Sequence, residues 1–382
     1  MHIVHITPHL PPDQAANALL PYHLGEWAVA RGDTVHYVAH PPVAGRPASL
    51  PGRATWIARR RHNWLQRWLR LGSVTNARRI LREARPVIDA ADIVHVHSNG
   101  LLAELGALLA ARRRKPLVLT LYGTEIWHYQ PKRFGPDLFT RAYRAARAVT
   151  FYSDRLLLRA REVGLGRPEC HVIYPPVAPA FTFHDERSQL NERQALGLPH
   201  RHLLVNVKRL HPLAGQRYLL EAMGEVVREH PDSRLVICGT GALLTELQTV
   251  ARSAGVERHV TFAGLVDNTA VARYTAAADL FVLPSLLEAL PTVAVEALAC
   301  GTPVVSSDNP GGLELNDLFG ADVEIVRRED SQALAQAIRG RLRHKRRTLP
   351  STREIVEARF RPEAVATAYW NVYARAIAGE RA

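Results

Sequence analysis

The chain has 382 residues, 47% of them apolar, with 24 glycines and 25 prolines, a length for two or three domains at roughly 100–200 residues each. Its three cysteines (Cys170, Cys238, Cys300) are odd in number and lack CxxC spacing, which excludes a disulfide scaffold or zinc ribbon and fits a reducing cytosol. Lys and Arg outnumber Asp and Glu by 49 to 36, a net charge of +13 that reads either as the arginine bias of a GC-rich genome or as attraction for polyanions.

The opening MHIVHITPHL reads as a strand, not as a charged segment leading an apolar core, so no secretory signal is expected. Strand-like runs follow at Val35–Ala39, Ile93–His97, Leu117–Leu121 and Val149–Tyr152, separated by helical stretches such as Pro21–Ala30 and Ala142–Arg147. Short Val/Ile/Leu runs between helices mark a parallel sheet covered on both faces. Between the second and third runs lies Arg59–Leu71, RRRHNWLQRWLRL, with Trp64, Leu65, Trp68 and Leu69 at helical spacing among arginines. It reads either as a surface helix packed on the amino-terminal sheet, which is favoured, or as a basic amphipathic helix on an anionic bilayer.

Proline-rich and then charged composition at residues 175–200 marks a seam, with polar residues from His184 to Arg193. Beyond it the pattern repeats. Leu203–Val207, Leu235–Cys238, Val260–Ala263, Leu280–Leu283, Val304–Ser306 and Val323–Val326 read as strands, with helices beginning near Gln216, Ala242, Asn268, Thr292 and Ser331. Leu280–Gly301, the longest apolar stretch, is broken by Glu288, Glu296 and two prolines, so no membrane span is expected. A last amphipathic helix, Pro362–Ile377, places Ala366, Tyr369, Trp370 and Tyr373 on one side; no strand follows, so it packs on something already built.

Two open α/β sheets in series bind ligands at the carboxyl ends of their strands, and two such ends facing each other form a cleft. The candidate residues sit there. In LPSLLEALPTVAVEALACGTPVVSSDNPGG (Leu283–Gly312) a strand ends, a tight connection runs to Leu290, and Pro291 and Thr292 start a helix. Backbone N–H groups and the helix dipole at such a start suit a diphosphate. Glu288 and Glu296 are eight residues apart, about 12 Å along a helix, too far for a paired-carboxylate acid and base. They read as two separate acceptors of sugar hydroxyls or as a capping acid and a solvated one. Lys208 and Arg209 close another strand, where they suit a diphosphate or form a solvated basic turn. HVHS (His95–Ser98) and YGTEIWHYQ (Tyr122–Gln130) put polar groups at two further strand ends. The HxH spacing invites a metal, but no further ligand stands at ligand spacing, so no metal is expected. The P-loop, GxGxxG and GxSxG patterns are absent.

These residues resemble the family-four retaining glycosyltransferases of GT-B fold over nearly the whole chain. The resemblance rests on Arg209-Leu210, on Cys238-Gly239-Thr240-Gly241, and above all on the Glu-x7-Glu block with its trailing CGTPVVSSDNPGG. It implies two facing Rossmann-like domains, an acceptor-binding one at 1–180 and a nucleotide-sugar-binding one at 200–355, with 360–382 packing back on the first. It implies a UDP-sugar co-substrate and no metal or other cofactor. Arg209 would hold the diphosphate with Lys208; Gly239 would line the donor site; Glu288, Ala289, Leu290, Pro291 and Thr292 would meet sugar and phosphate. Glu296 would take the ribose hydroxyls, and Val266 would meet the base. Arg209 and Glu288 would be the catalytic pair.

The sequence departs from the family pattern at Ala214 (usually lysine), Ala289 (usually glycine), Tyr122 (usually histidine) and Ala15-Ala16 (usually a glycine pair). HITPHLPPDQAANALLP, LYGTEIWHYQPKRFGPDLFTRAY and VKRLHPLAGQ further resemble transferases adding the second sugar to 2-deoxystreptamine antibiotics. That likeness implies a cytoplasmic enzyme moving xylose, glucose or kanosamine onto a small aminocyclitol acceptor. Asp13, His97, Tyr122, Gly123 and Glu125 would form the acceptor side, with Glu104, Asp13 and Glu125 facing ammonium groups. The alternative is a peripheral-membrane transferase with a lipid-linked acceptor. Nucleic acid is not an expected partner, because no helix-turn-helix or zinc pattern occurs.

Overall fold

A computed structural model describes residues 1–13, 16–42, 48–58, 71–131, 137–165 and 169–379, with the side chains of 71–73 also outside the description. The tryptophan- and arginine-rich segment falls on residues 59–70, and Ala15 likewise lies outside the described residues. The chain divides into two compact units, one of Met1–Tyr174 with Val365–Ala382 and one of Pro175–Ala364.

In the first unit the described residues form a parallel sheet of β1 (His2–Thr7), β2 (Thr34–Ala39), β3 (Arg53–Trp56), β4 (Ile93–His97), β5 (Leu117–Leu121), β6 (Ala148–Phe151) and β7 (Cys170–Val172), ordered 3-2-1-4-5-6-7. The period of two sorts its side chains onto two faces. Val4, Ile6, Val94, Val96, Leu119 and Leu121 pack on one side with helices Leu71–Asp89 and Leu101–Arg112. Ile3, Val35, Tyr37, Ile93 and Val118 pack on the other with Ala16–Ala30 and with Val365, Tyr369, Val372 and Tyr373 of the last helix, Pro362–Ala378. The last helix therefore covers the amino-terminal sheet, and its buried face adds Val365, Val372 and Ala376 to the expected residues while Trp370 stays half-exposed. The helix expected over Ala142–Arg147 forms earlier, at Leu138–Ala145, because Asp137 caps it through the Thr140 N–H.

In the second unit a parallel sheet joins β8 (His202–Val207), β9 (Ser233–Cys238), β10 (Val260–Gly264), β11 (Leu280–Leu283), β12 (Val304–Ser307) and β13 (Val323–Val326), ordered 10-9-8-11-12-13. Both units are thus Rossmann-like, with strand order reversing beside β1 and β4 in one and beside β8 and β11 in the other. The carboxyl ends of those strands are the binding positions of such sheets.

Residues Glu186–Ala195, whose composition marks a linker, instead form a helix inside the second unit, capped by Asp185 through the Ser188 N–H. Its inward groups are polar. Arg193 Nη2 pairs with Asp279 Oδ1 at 2.9 Å and donates to the Ala277 carbonyl at 2.8 Å, and Gln189 Nε2 donates to the Ala278 carbonyl at 2.7 Å.

Candidate active site

At the β8–β11 switch point, Val207 ends its strand and Lys208 and Arg209 turn outward. The Lys208 N–H bonds the Cys238 carbonyl, so this turn is tied to the end of β9. Lys208 Nζ pairs with Glu288 Oε1, bringing together two sequence candidates 80 residues apart. The Arg209 guanidinium is exposed and makes no ion pair among the described residues, while its carbonyl accepts from Gln216 Nε2. Gly239 sits at φ 145 with an added Cβ only 2.1 Å from the Lys208 carbonyl oxygen, so only glycine fits where β8 and β9 end together. Its N–H donates to the Gly264 carbonyl at 2.7 Å, which ties the loop holding Leu265 and Val266 to the same rim. Leu265 is 83% exposed on that loop, an apolar side chain standing in water beside the turn.

The connection after β11 is bolted down. The Leu286 N–H donates to the Leu213 carbonyl at 2.8 Å, the Gly311 N–H donates to the Glu288 carbonyl at 3.0 Å, and Asn309 Nδ2 donates to the Ser285 carbonyl at 2.8 Å. Gly215, at φ 68, lets the Pro212–Ala214 turn approach the Pro284 carbonyl, which a Cβ would meet at 2.0 Å. Pro291 precedes helix Thr292–Ala299, and no side chain caps it. The Ala294 N–H turns back to the Pro291 carbonyl at 3.0 Å, and the first-turn dipole of this helix is left without a side-chain cap. Ala214, at the position of the usual lysine, is buried in its turn.

Glu288 lies in the loop and Glu296 in the helix, so they do not form one helical pair. Glu296 has no ion pair among the described residues, and burial pushes its carboxyl up to about 7. The ends of β8, β11 and β12 also carry buried polar atoms lacking partners, at Asn206 Oδ1, Ser285 Oγ and Ser306 Oγ.

In the first unit, period-two placement on neighbouring strands gathers a buried polar layer. His5 on β1 lies opposite His95 on β4, and His97, Thr120 and Thr150 share that face. His5 Nδ1 and His97 Nε2 are 3.0 Å apart, and His97 Nδ1 meets the Tyr122 hydroxyl at 2.8 Å. His95 meets the Tyr373 hydroxyl at 2.7 Å through Nδ1 and Thr120 Oγ1 at 2.6 Å through Nε2. The three imidazoles can bring one nitrogen each within 4.8 Å of one another. The third partner, His5, stands 90 residues from His95, which is why spacing within HVHS did not reveal it. Both nitrogens of His95 and of His97 are already engaged. Burial holds all three rings well below the usual histidine range, His5 at about 3.

At the rim above this layer, Glu125 is only 5% exposed and both its oxygens are occupied, by Ser98 Oγ at 2.6 Å and the Gly123 N–H at 2.8 Å. Ser98 itself adopts φ 69, an uncommon backbone for a non-glycine residue. Asp13 is more open and bonds His9 Nδ1 at 2.9 Å. The Gly100 N–H donates to Glu104 Oε1 at 3.3 Å. No described helix is long and apolar enough to cross a membrane.

The pattern of the family described as glycosyl transferases group 1 matches residues 188–356, and that of glycosyltransferase family 4 matches residues 21–181. A putative teichuronic acid biosynthesis glycosyltransferase, TuaC of Bacillus subtilis, is 31% identical over 296 residues, which are 76% of this chain and 68% of the relative. The GDP-mannose-dependent alpha-(1-6)-phosphatidylinositol monomannoside mannosyltransferase of Mycolicibacterium smegmatis is 31% identical over 62% of this chain and 63% of its own. The solved structure of Anabaena HepE with UDP and glucose superposes at TM-score 0.73 with 20% identity, covering 98% of this chain and 99% of the other. With two parallel Rossmann-like sheets, matches to both patterns and a relative covered over two thirds of its length, the chain belongs to the family-four glycosyltransferases of GT-B fold.

Proposed function

We propose that the protein is a retaining transferase that takes a sugar from UDP and needs no divalent metal. The observation that carries this is the cluster at the β8–β11 switch point: Lys208 paired to Glu288, Arg209 open beside it, and an uncapped helix start at Thr292. Two cations and a helix dipole stabilise the charge that grows on a departing diphosphate. Lys208 supplies the second cation that the buried Ala214 does not. The C1–O bond to phosphate breaks, the C1–O bond to the acceptor forms on the same face, and the acceptor hydroxyl proton passes to the leaving phosphate oxygen. Glu288 meets the transferred sugar, Glu296 accepts from the ribose hydroxyls, and Gly239 and Val266 line the nucleotide side. The Anabaena neighbour, solved with UDP and glucose, supports the choice of donor, whereas the Mycolicibacterium relative's name specifies GDP-mannose.

The acceptor side belongs to the first unit, with Asp13, His97, Tyr122, Gly123 and Glu125. The segments around Asp13 and Tyr122 support a small aminocyclitol acceptor, with Asp13 as the open carboxylate. Glu125, its oxygens already occupied, shapes the turn at Gly123. A second reading, an envelope-glycan or lipid-linked acceptor, is favoured by the names of the Bacillus and Mycolicibacterium relatives. The three free cysteines support a cytoplasmic setting.

Incubation with UDP- and GDP-sugars and with aminocyclitol, polyol-phosphate and lipid-linked acceptors, followed by product masses, tests the reading. Transfer from a UDP-sugar to an aminocyclitol, undiminished by EDTA, is the expected result; transfer only from GDP-mannose would remove the donor assignment, and transfer only to a lipid-linked acceptor the acceptor assignment. Arg209→Ala is expected to lower kcat by roughly 100-fold or more with little change in donor KM, because its interaction strengthens as the leaving group gains charge.

A further inference from the structure

The buried histidine chain ends in a dead end, and that end fixes its direction. His5 Nε2 is buried and has no hydrogen-bond partner, while its Nδ1 meets His97 Nε2 at 3.0 Å and His97 Nδ1 meets the Tyr122 hydroxyl at 2.8 Å. A neutral imidazole carries one N–H and one lone pair, so the state of one nitrogen sets the state of the next. Two arrangements satisfy both contacts. In the first, His5 Nδ1–H donates to His97, His97 Nδ1–H donates to the phenol oxygen, and the Tyr122 O–H is free to point elsewhere. In the second every bond is reversed, and a buried N–H at His5 Nε2 is left without an acceptor.

The second arrangement is the costly one, since orphaned buried N–H groups are rarer in proteins than under-used lone pairs. The surroundings give no relief: Tyr37 stacks on His5 at 5.6 Å, and His95 is committed to Tyr373 and Thr120.

We propose that this chain, resting on the acceptor-side reading of Tyr122, makes Tyr122 a fixed hydrogen-bond donor that selects an acceptor atom with a lone pair. The ligand group facing Tyr122 is then a hydroxyl oxygen or an unprotonated amine, and an ammonium group at that point is disfavoured. His5 and the acceptor-side His97, whose two nitrogens are both engaged, are positioning residues that act through the direction of the bond they pass on. An aminocyclitol would present a hydroxyl to Tyr122 and its ammonium groups to Asp13.

Long-range imidazole proton–nitrogen NMR of the full chain, labelled at histidine, reads the tautomers directly. The expected result is a proton on Nδ1 of both His5 and His97, the minor form of free histidine; protons on Nε2 of both would overturn the direction of the chain. The second measurement is acceptor KM, using the acceptor that wild type is found to glycosylate. Tyr122→Phe and His5→Phe are each expected to raise acceptor KM several-fold while donor KM stays unchanged. Unchanged acceptor KM in Tyr122→Phe, with the tautomers as expected, would overturn donation to the acceptor while leaving sugar transfer standing. Absence of transfer by wild type across the donor panel would instead sink the functional reading, and the tautomers would still report on the chain. A merely structural role for His5 would change stability and leave the tautomer of His97 free to invert.

Discussion

Glu296 shows how a single side chain can be costly to the fold and, on the proposed donor reading, useful to a ligand. It is half-buried in helix Thr292–Ala299 without an ion pair among the described residues, and desolvation raises its carboxyl from 4.5 to about 7. The folded state therefore holds a proton that the unfolded state gives up between these values. Stability from the neutral form is fully present below pH 4.5 and is lost as pH rises through 7, a cost on the order of 3 kcal/mol at pH 8. Glu296→Gln is accordingly expected to raise the Tm at pH 8 and to give no gain at pH 4.5. The ribose hydroxyls of a nucleotide are donors that the ionised carboxylate accepts, so UDP binding by wild type should strengthen as pH rises through 7. Calorimetric titration of UDP at pH 6 and 8 checks this, and equal affinities at the two values, or a lower Tm for the glutamine variant at pH 8, would dismiss the account. Glu125 is the opposite case. Its two short hydrogen bonds hold Ser98 and Gly123, and Glu125→Ala should destabilise the first unit by about 2–3 kcal/mol in urea unfolding.

At the scale of elements, the sequence was most readable where strands are central. The inner strands β1, β2, β4–β6, β8, β9, β11 and β12 are short runs buried along most of their length, which is what makes them visible in the sequence. Of the four edge strands, β10 and β13 are legible because VTFA and VEIV still carry apolar residues, whereas β3 (RATW) and β7 (CHV) are short, half-exposed and carry no run. The helix Glu186–Ala195 was hidden for a different reason. Its inward face is Gln189 and Arg193, whose partners are the carbonyls of Ala277 and Ala278 and the carboxylate of Asp279, so apolar periodicity is absent by construction. Removal of Arg193 leaves those buried acceptors short of a donor, and breaking a buried pair from one side typically costs about 3–5 kcal/mol. Arg193→Ala is expected to lose on that order in unfolding of the second unit, and Arg193→Lys to recover only part, because one compact ammonium does not span the Ala277, His200 and Arg201 carbonyls and Asp279 as the guanidinium fork does. A loss within experimental error would mean the helix is an appendage. The candidate cluster is legible for the reason the central strands are: Lys208 and Arg209 follow directly on β8, and the Glu288–Glu296 block follows on β11.

What no local pattern could supply was register across the sheet, and the first unit depends on it. His5 meets His95 and His97 only because β1 and β4, far apart in sequence, pair in parallel with His5 opposite His95. The resulting layer should govern the acid stability of the whole unit. All three rings have folded values well below 6.5 because burial disfavours their charged forms, His5 at about 3. The unfolded chain thus binds protons that the folded one refuses, and stability falls as pH drops below 6.5, by about 1.4 kcal/mol per pH unit for each histidine. Three together give at most about 4 kcal/mol per pH unit against a typical total of about 5–15, so the first unit should unfold about one to four pH units below 6.5. The chain carries its own reporter, because the sequence has no tryptophan in the second unit, Pro175–Ala364, while Trp27, Trp56, Trp127 and Trp370 belong to the first. Urea midpoints followed by tryptophan fluorescence should fall steeply between pH 6.5 and 5, and His5→Phe, which removes one titrating ring, should flatten the slope by about a third. A midpoint that stays level across that interval would show that the histidines reach solvent before the unit unfolds, and that the buried layer opens locally.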